Sequence, residues 1–367
     1  MNSSLPLVLL LGPARTAVSG VSTHLNQLFN SQLSTSFQFG QFQVGREGRA
    51  EKRLGTLLRL IASPFAFASC VLRRRPQIVH INTSFDPKAY WRDLGYLLIA
   101  KALRRKVVYQ IHGGALPQEL FTGNRWLTSL LRHTLSYPDV VLVLSERELA
   151  AYRKFAPNVD VVLIANAVDI EDVDLDLTRY AAKRPLEVVY IGRLAYSKGV
   201  FDIVQAVALL TARGTEIHLR LAGYGAAEQQ LREAISKAKL DDRVKLLGPV
   251  FGASKRQLWQ SAHVLAFPSH AEGLPYALLE SMAAGVVPII TPVGAIPDVI
   301  DDQVHGIFVP PRNPEAIADA LERLHRDRDG LHRMAVAGRE RIVDKYSVAR
   351  LASQFRHLYT SLMRNSV

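Results

Sequence analysis

Short apolar runs of the kind that form buried β-strands alternate with longer stretches along the whole chain, and this alternation most limits the folds it can adopt. The stretches between the runs have the length that crossover helices need, so each half is predicted to form a parallel sheet with helices on both faces. The fold class expected is therefore α/β, with two doubly wound domains. The six runs of the first half are Leu7–Leu11, Phe37–Phe42, Gln77–Asn82, Lys106–His112, Asp139–Leu144 and Asp160–Ile164. The six runs of the second half are Leu186–Ile191, Ile217–Ala222, Arg243–Leu247, Val264–Phe267, Val287–Thr291 and Gly306–Val309.

The length of 367 residues is too great for one ordinary core, which also favours two domains. Their connection is predicted in the polar, acidic segment between Asn166 and Pro185. The Rossmann-like domains are accordingly placed at residues 1–177 and 178–346, and the amphipathic stretch at about 347–367 is expected to pack back on the first. Ligands of open α/β sheets bind beyond the carboxyl ends of the strands, so the domains are expected to face each other across a cleft.

Composition excludes several classes of protein. Hydrophobic residues make up 48% of the chain and charged residues 21%, an ordinary globular balance. A single cysteine, Cys70, excludes a disulfide framework and suits a reducing compartment. The apolar run Leu5–Leu11 has no Lys or Arg before it, which favours a buried first strand over a signal peptide. No run reaches the ~20 apolar residues that a membrane span needs, so a cytoplasmic protein is expected.

The formal net charge of +12 favours anionic partners. Leu54, Leu57, Leu58 and Ile61 recur at helical spacing among basic residues, which fits either a core-facing helix or a helix on the inner face of the plasma membrane. The basic clusters lack interleaved aromatic residues and any nucleic-acid-binding motif, so no nucleic-acid partner is expected. The clusters are Arg46, Arg49, Lys52, Arg53 and Arg59, then Arg73-Arg74-Arg75, then Arg104-Arg105-Lys106.

The strongest chemical signal lies in the segment Phe267–Gly285, which leaves an apolar run, passes a turn and enters a helical pattern. It holds two glutamates eight positions apart, Glu272 in the loop and Glu280 in the helix. Backbone N–H groups at a helix N-terminus near Gly273-Leu274 suit a phosphate group. A carboxylate such as Glu280 can accept two hydrogen bonds from a ribose diol. The alternative is a capped helix with two incidental glutamates.

A second signal follows the first strand of the second domain. A glycine turn at Gly192 holds Arg193 and Lys198 close together, and two such cations can neutralise charge on a leaving diphosphate. Taken alone, a surface turn with two solvated basic residues explains the pattern equally well.

Together these segments resemble the retaining glycosyltransferases of the GT-B fold, specifically family 4 (glycosyl transferases group 1). The resemblance spans nearly the whole chain and is specific in its second half. In that half, four further segments occur in the family's order: Ala222-Gly223-Tyr224-Gly225, Leu246-Leu247-Gly248-Pro249-Val250, Thr291–Pro297 and His305–Val309. In the first half, the matching segments are Ser19–Leu25, Ile111-His112-Gly113-Gly114 and Asn166-Ala167-Val168-Asp169.

The resemblance implies roles for residues of the second domain. Arg193 and Lys198 would hold the donor diphosphate and stabilise it as it leaves, and Glu280 would bind the ribose. Glu272, with the backbone around Gly273-Leu274, would contact the transferred sugar and the phosphates. Glu272, Arg193 and Lys198 would thus belong to the catalytic group. The donor would be a nucleotide-diphosphate-sugar, such as a UDP- or GDP-sugar, and neither a metal nor another cofactor would be needed.

In the first domain, the resemblance implies that Gly20 lets the backbone approach the diphosphate. His112 would be catalytic, beside the bond being broken, with Gly113 and Gly114 as candidates for the acceptor site. The acceptor would be a glycan or a lipid-linked sugar of cell-surface polysaccharide biosynthesis. Ser19 stands where many members of the family have glycine, and Ala167 is a similar departure.

Other interpretations remain open from the sequence. A phosphorylase of the same fold, a nucleotide-sugar epimerase, or a non-catalytic nucleotide-sugar-binding protein would share these motifs. The overlapping D-x-D patterns of Asp172, Asp174 and Asp176 would suit a metal-dependent transferase, but no apolar strand leads into them and a solvated linker is favoured. His24, His80, His133, His263 and His270 lack metal-ligand spacing and are expected to be packing or surface residues.

Overall fold

The computed structural model describes residues 5–45, 53–170, 180 and 185–364, with the side chains of 53–60 excepted. The chain forms two compact units, one of residues 1–167 and 348–367 and one of residues 168–347. The division after Ala167 lies ten positions before the boundary that the sequence suggested at 177/178. The D-x-D residues Asp172, Asp174 and Asp176 lie outside the described residues.

The first unit is built on a six-stranded parallel sheet in the order β2-β1-β3-β4-β5-β6. Its strands are β1 Leu7–Gly12, β2 Gln38–Gln43, β3 Ile78–Phe85, β4 Lys106–Gly114, β5 Val140–Val143 and β6 Val161–Leu163. Its first five helices are α1 Gly20–Asn30, α2 Arg53–Arg74, α3 Pro87–Ala102, α4 Arg125–Leu135 and α5 Glu146–Phe155.

Both faces of this sheet are covered, as the apolar runs of β1 and β5 require. Successive side chains of a strand point to opposite faces. Leu9 and Leu11 of β1 therefore pack into the core shared with α2, α3, α4 and α5, whereas Val8 and Leu10 pack into the core on the other face. The helices α2, α3 and α4 consequently lie on one side of the sheet.

The second unit holds another six-stranded parallel sheet, in the order β12-β11-β10-β7-β8-β9. Its strands are β7 Leu186–Ile191, β8 Ile217–Ala222, β9 Val244–Gly248, β10 Val264–Phe267, β11 Val287–Ile290 and β12 Ile307–Phe308. Its helices are α6 Val200–Ala212, α7 Glu228–Lys237, α8 Gly252–Ser261, α9 Tyr276–Ala283, α10 Ile296–Val299, α11 Pro314–Arg326 and α12 Arg328–Lys345.

The last helix, α13, spans Val348–Arg364 and packs on the first unit. Its residues Leu351, Phe355 and Tyr359 lie in the same core as Val8 and Leu10 of β1. The amphipathic pattern near the end of the sequence thus supplies part of the cover for one face of the first sheet.

Candidate active site

The predicted donor-binding residues of the second unit gather where the order of its strands reverses. Strands β7 and β10 are neighbours, but the chain continues from β7 to β8 on one side and from β10 to β11 on the other. Loops that diverge in this way leave a crevice at the carboxyl ends of the two strands, which is the usual ligand site of such sheets. The loop after β7 carries Gly192, Arg193 and Lys198, and the loop after β10 carries Glu272.

The two loops are fixed to each other through their backbones. The N–H of His270 donates to the carbonyl oxygen of Ser197 at 2.9 Å, and the Ser269 hydroxyl donates to the same oxygen at 3.3 Å. Gly199 adopts a φ of +68°, and a Cβ at this position would lie 2.3 Å from the carbonyl oxygen of Pro268. Only glycine allows the loops to approach so closely.

Lys198 and Glu272 form an ion pair between Lys198 Nζ and Glu272 Oε1. Both side chains are largely withdrawn from solvent, with 17% and 12% of their surfaces exposed. Lys198 Nζ also donates to the carbonyl oxygen of Ala271 at 3.4 Å. An ammonium group held in this way is a directed point charge with a further N–H for an incoming anion. The side chain of Arg193 nearby is exposed.

Glu280 lies in α9 and pairs with Lys255 of α8, at 2.6 Å between Lys255 Nζ and Glu280 Oε1. No pattern in the sequence indicates this lysine, because the two residues are 25 positions apart and neither helix carries a motif that relates them. The Glu280 side chain is only 15% exposed, so its carboxylate has a defined position.

The helix after β10 begins later than the sequence suggested. An N-terminus was expected near Gly273-Leu274, whereas α9 starts at Tyr276 with Pro275 as its extended N-cap residue. Proline disfavours helical backbone in the residue before it, which places Leu274 outside the helix. Leu274 is instead buried, and the carbonyl oxygen of Gly273 accepts from the N–H of Ala295 at 2.9 Å.

In the first unit, Gly20 is the exposed first residue of α1. Ser19 is the N-cap, and its hydroxyl accepts a hydrogen bond from the N–H of Ser22 at 3.3 Å. The serine that replaces a glycine of the family thus satisfies one of the donors at the start of the helix.

His112 lies near the carboxyl end of β4, followed by Gly113 and Gly114. Its ring is half-buried, and its Nε2 atom lies 2.8 Å from Asn82 Oδ1 of the neighbouring strand β3. The glycine at 114 has a φ of +118°, and a Cβ there would lie 2.4 Å from the carbonyl oxygen of Phe85. The strand end that presents His112 is therefore packed against the end of β3.

His112 belongs to a cluster of three imidazoles that includes His24 and His80. The ring of His24 meets that of His112 edge-on, with 4.8 Å between the centroids, and His80 Nδ1 lies 2.8 Å from the Tyr359 hydroxyl. Burial lowers the pKa of His24 to about 4 and the pKa of His80 to about 3. Burial, together with the nearby His24 and His80, also lowers the pKa of His112 well below its usual value. All three rings are accordingly neutral at pH 7.

The sequence interpretation of His24 and His80 as packing residues agrees with their complete burial. The contact of these two rings with His112 could not be predicted from the sequence. It depends on how α1, β3 and β4 pack together, and the spacing of the histidines along the chain does not indicate that packing.

Comparison with known proteins defines the class. The sequence model described as "Glycosyl transferases group 1" matches residues 179–341, and the one described as "Glycosyltransferase Family 4" matches residues 35–172. The structure superposes on sucrose-phosphate synthase from Thermosynechococcus elongatus with a TM-score of 0.81, at 19% identity, over 98% of this chain and 100% of the other. It also superposes on HepE from Anabaena in complex with UDP-glucose with a TM-score of 0.75, at 17% identity, over 97% and 99% of the chains. These are glycosyltransferases of the GT-B fold.

The chain belongs to glycosyltransferase family 4. It is 25% identical over 351 residues to the amylovoran biosynthesis glycosyltransferase AmsK of Erwinia amylovora, covering 87% of this chain and 84% of that protein. It is 29% identical over 176 residues to an uncharacterized glycosyltransferase of Methanocaldococcus jannaschii, covering 48% of this chain and 45% of that protein. This match therefore spans about half the length of the Methanocaldococcus jannaschii protein.

Proposed function

We propose that this protein is a retaining glycosyltransferase that moves a sugar from a nucleotide-diphosphate donor to a glycan or lipid-linked acceptor. The observation that carries the proposal is the placement of the Lys198–Glu272 pair at the point where the strand order of the second unit reverses. A fixed ammonium group at such a crevice suits the diphosphate of a nucleotide-sugar. The HepE structure named for its complex with UDP-glucose supports the choice of donor class.

Arg193 and Lys198 are proposed to bind the diphosphate and to stabilise the negative charge that grows as the glycosidic bond breaks. Because they would supply this charge stabilisation without a metal, no divalent ion is part of the proposal. Glu272, which pairs with Lys198, would contact the transferred sugar. Gly192, Gly273 and Leu274 would shape the backbone around the phosphates.

Glu280 is proposed to bind the ribose. A carboxylate offers about four lone-pair positions, so Glu280 can accept from ribose hydroxyls while Oε1 keeps its bond to Lys255. This arrangement suits UDP and GDP equally, since both carry the same sugar. Lys255 would fix the carboxylate in the position that the ribose meets.

In the first unit, Gly20 is proposed to lie against the donor diphosphate and His112 beside the reacting sugar, with Gly113 and Gly114 toward the acceptor. In the retaining reaction, the acceptor oxygen attacks the anomeric carbon from the face that the diphosphate leaves. The bond between the anomeric carbon and the diphosphate oxygen breaks, and the acceptor proton passes to that oxygen. The product keeps the anomeric configuration of the donor. The name of AmsK, an amylovoran biosynthesis enzyme, supports a role in polysaccharide biosynthesis.

The first unit is further proposed to rest on an anionic membrane surface, which suits a lipid-linked acceptor. Large apolar side chains are exposed on α2, α3 and α4, and basic side chains follow at the end of α2. We call these residues the apolar–basic face: Ile61, Phe65, Leu72, Trp91 and Trp126 with Arg73, Arg74 and Arg75. Phe65 exposes 74% of its surface and Trp126 exposes 88%. Exposed aromatic and aliphatic side chains next to arginines favour an interface with anionic lipid. No helix in the part of the chain that the structure describes meets the length and hydropathy of a membrane span.

Product analysis tests the proposed reaction. The protein would be incubated in EDTA with UDP- and GDP-sugars and octyl glycosides as acceptors, and the products followed by NMR. Release of nucleoside diphosphate only with an acceptor, together with a product of the donor's anomeric configuration, is expected. A product with the inverted anomeric configuration would contradict a retaining reaction. Conversion of the donor sugar without release of nucleoside diphosphate would indicate an epimerase. A requirement for inorganic phosphate would indicate a phosphorylase.

A further inference from the structure

Asn82 is a buried polar residue of β3 whose hydrogen bonds determine the orientation of its amide group. Its Nδ2 atom donates to the carbonyl oxygen of Leu11 at 3.1 Å and to that of His80 at 3.4 Å. Rotating the amide by half a turn would place Oδ1 against these two carbonyl oxygens, leaving three acceptors together without a proton. A buried group avoids that arrangement because unsatisfied acceptors are costly. Asn82 Oδ1 therefore faces His112.

This orientation fixes which nitrogen of His112 carries the hydrogen. Asn82 Oδ1 lies 2.8 Å from His112 Nε2, and a carboxamide oxygen only accepts. The hydrogen must accordingly lie on Nε2. A neutral imidazole has one N–H, so Nδ1 then carries a lone pair.

The surroundings of the ring keep it neutral. His24 of α1 and His80 of β3 are the imidazoles that lower the pKa of His112 in addition to burial. Gln110 lies opposite Asn82 in the pairing of β3 with β4 and is itself uncharged. None of these groups stabilises an added proton on His112 as a carboxylate would.

We propose that Asn82 is a positioning residue that holds His112 in the Nε2–H tautomer, so that Nδ1 accepts a hydrogen bond from a hydroxyl group of the bound sugar. The inference rests on the proposed function, since it assumes that His112 meets substrate. Beyond that function, it identifies Nδ1 of His112 as the atom that accepts the hydrogen bond and Asn82 as the residue that keeps Nδ1 unprotonated. A histidine without this partner would divide between two tautomers, and the Nδ1–H form cannot accept at Nδ1.

The tautomer can be measured in the wild-type protein without any substrate. The full-length chain would be labelled with 15N-histidine and its imidazole nitrogens recorded by long-range 1H–15N correlation at pH 7, with His112→Gln used to assign the His112 signals. A protonated Nε2 and an unprotonated Nδ1 are expected. An Nδ1–H tautomer or a doubly protonated ring would overturn the proposal, whatever the outcome of the transfer assay.

Variants then connect the tautomer to catalysis. Asn82→Leu removes the acceptor and is expected to give mixed tautomers, with kcat lowered about tenfold or more and the donor KM changed less. Asn82→Asp keeps an oxygen beside Nε2 but adds a carboxylate that stabilises a second proton on His112, so a doubly protonated ring is expected in this variant. Thr134→Val removes a buried hydroxyl of α4 that pairs with the Tyr90 hydroxyl and should leave the tautomer of His112 unchanged. Wild-type tautomer and kcat in a folded Asn82→Leu protein would contradict the role assigned to Asn82.

Discussion

Lys255 and Glu280 are joined by an ion pair of 2.6 Å between Nζ and Oε1, although they belong to different helices and lie 25 positions apart. The pair fixes a largely buried carboxylate on α9, the group proposed to bind the donor ribose. Because a side chain that is already oriented loses less entropy on binding, this contact should contribute to donor affinity.

Replacing Lys255 with methionine should therefore weaken nucleotide binding. Lys255→Met leaves the Glu280 carboxylate without its cation and free to change rotamer, so the Kd for the nucleoside diphosphate should rise about tenfold. Calorimetry with UDP and GDP measures the change. Lys245→Met is the matched control, since Lys245 is an exposed lysine of β9 that donates to the carbonyl oxygen of Asp241. Equal affinity of the Lys255 variant and wild type would exclude this role of the pair.

Gly199 should tolerate alanine far less well than Gly214 does. Both glycines have a positive φ, +68° and +76°, so both substitutions incur the same backbone strain of about 1 kcal/mol. A Cβ at Gly199 would also meet the carbonyl oxygen of Pro268, whereas nothing lies within 4 Å of one at Gly214. Urea unfolding should show Gly199→Ala to be less stable than Gly214→Ala by a further ~2 kcal/mol. Equal losses of unfolding free energy in the two variants would show that the loops carrying Gly199 and Pro268 can move apart without a cost in stability.

The buried histidines should make stability fall in mild acid. The pKa of His24 is about 4 in the folded protein and near 6.5 when exposed, so between these values the unfolded chain binds a proton that the folded chain does not. Stability is therefore fully present above pH 6.5 and decreases as the pH falls toward 4, by on the order of 3 kcal/mol for His24. His80, with a pKa of about 3, extends the loss to lower pH.

Denaturant unfolding at a series of pH values tests this prediction. His24→Leu should reduce the slope of stability against pH between 6.5 and 4. His357→Leu, which removes an exposed histidine of α13, should leave the slope as in wild type. An unchanged slope in the His24 variant would mean that this imidazole accepts its proton without unfolding.

The apolar–basic face should bind vesicles of phosphatidylglycerol and phosphatidylcholine more strongly than vesicles of phosphatidylcholine alone. Phe65→Asp places a carboxylate at an exposed apolar position and should reduce flotation with the anionic vesicles, and added salt should do the same because it screens the arginines. Phe251→Asp is the control, since Phe251 is an exposed phenylalanine of the second unit. Equal flotation of both variants, or insensitivity to salt, would contradict the proposed membrane contact.

The strands of the described residues were predictable because a parallel sheet covered on both faces needs largely apolar strands, as Leu7–Leu11 and Val264–Phe267 illustrate. The helix N-terminus expected near Gly273-Leu274 lies just after Pro275, because this proline disfavours helical backbone in Leu274. The pairing of Lys255 with Glu280 and of Asn82 with His112 had no local signal, since each depends on which elements become neighbours. Side-chain partners across a sheet or between helices depend on the packed structure, so they cannot be predicted from a single sequence.

Calorimetry in EDTA with UDP- and GDP-sugars tests the central claim most directly, on wild type and on the Glu280→Ala and Arg193→Ala variants. Selective binding of one nucleotide-sugar by wild type without metal, and loss of that binding in both variants, is the result predicted. Absence of binding by the wild type, or unchanged affinity in the variants, would contradict the donor site assigned to the crevice between β7 and β10.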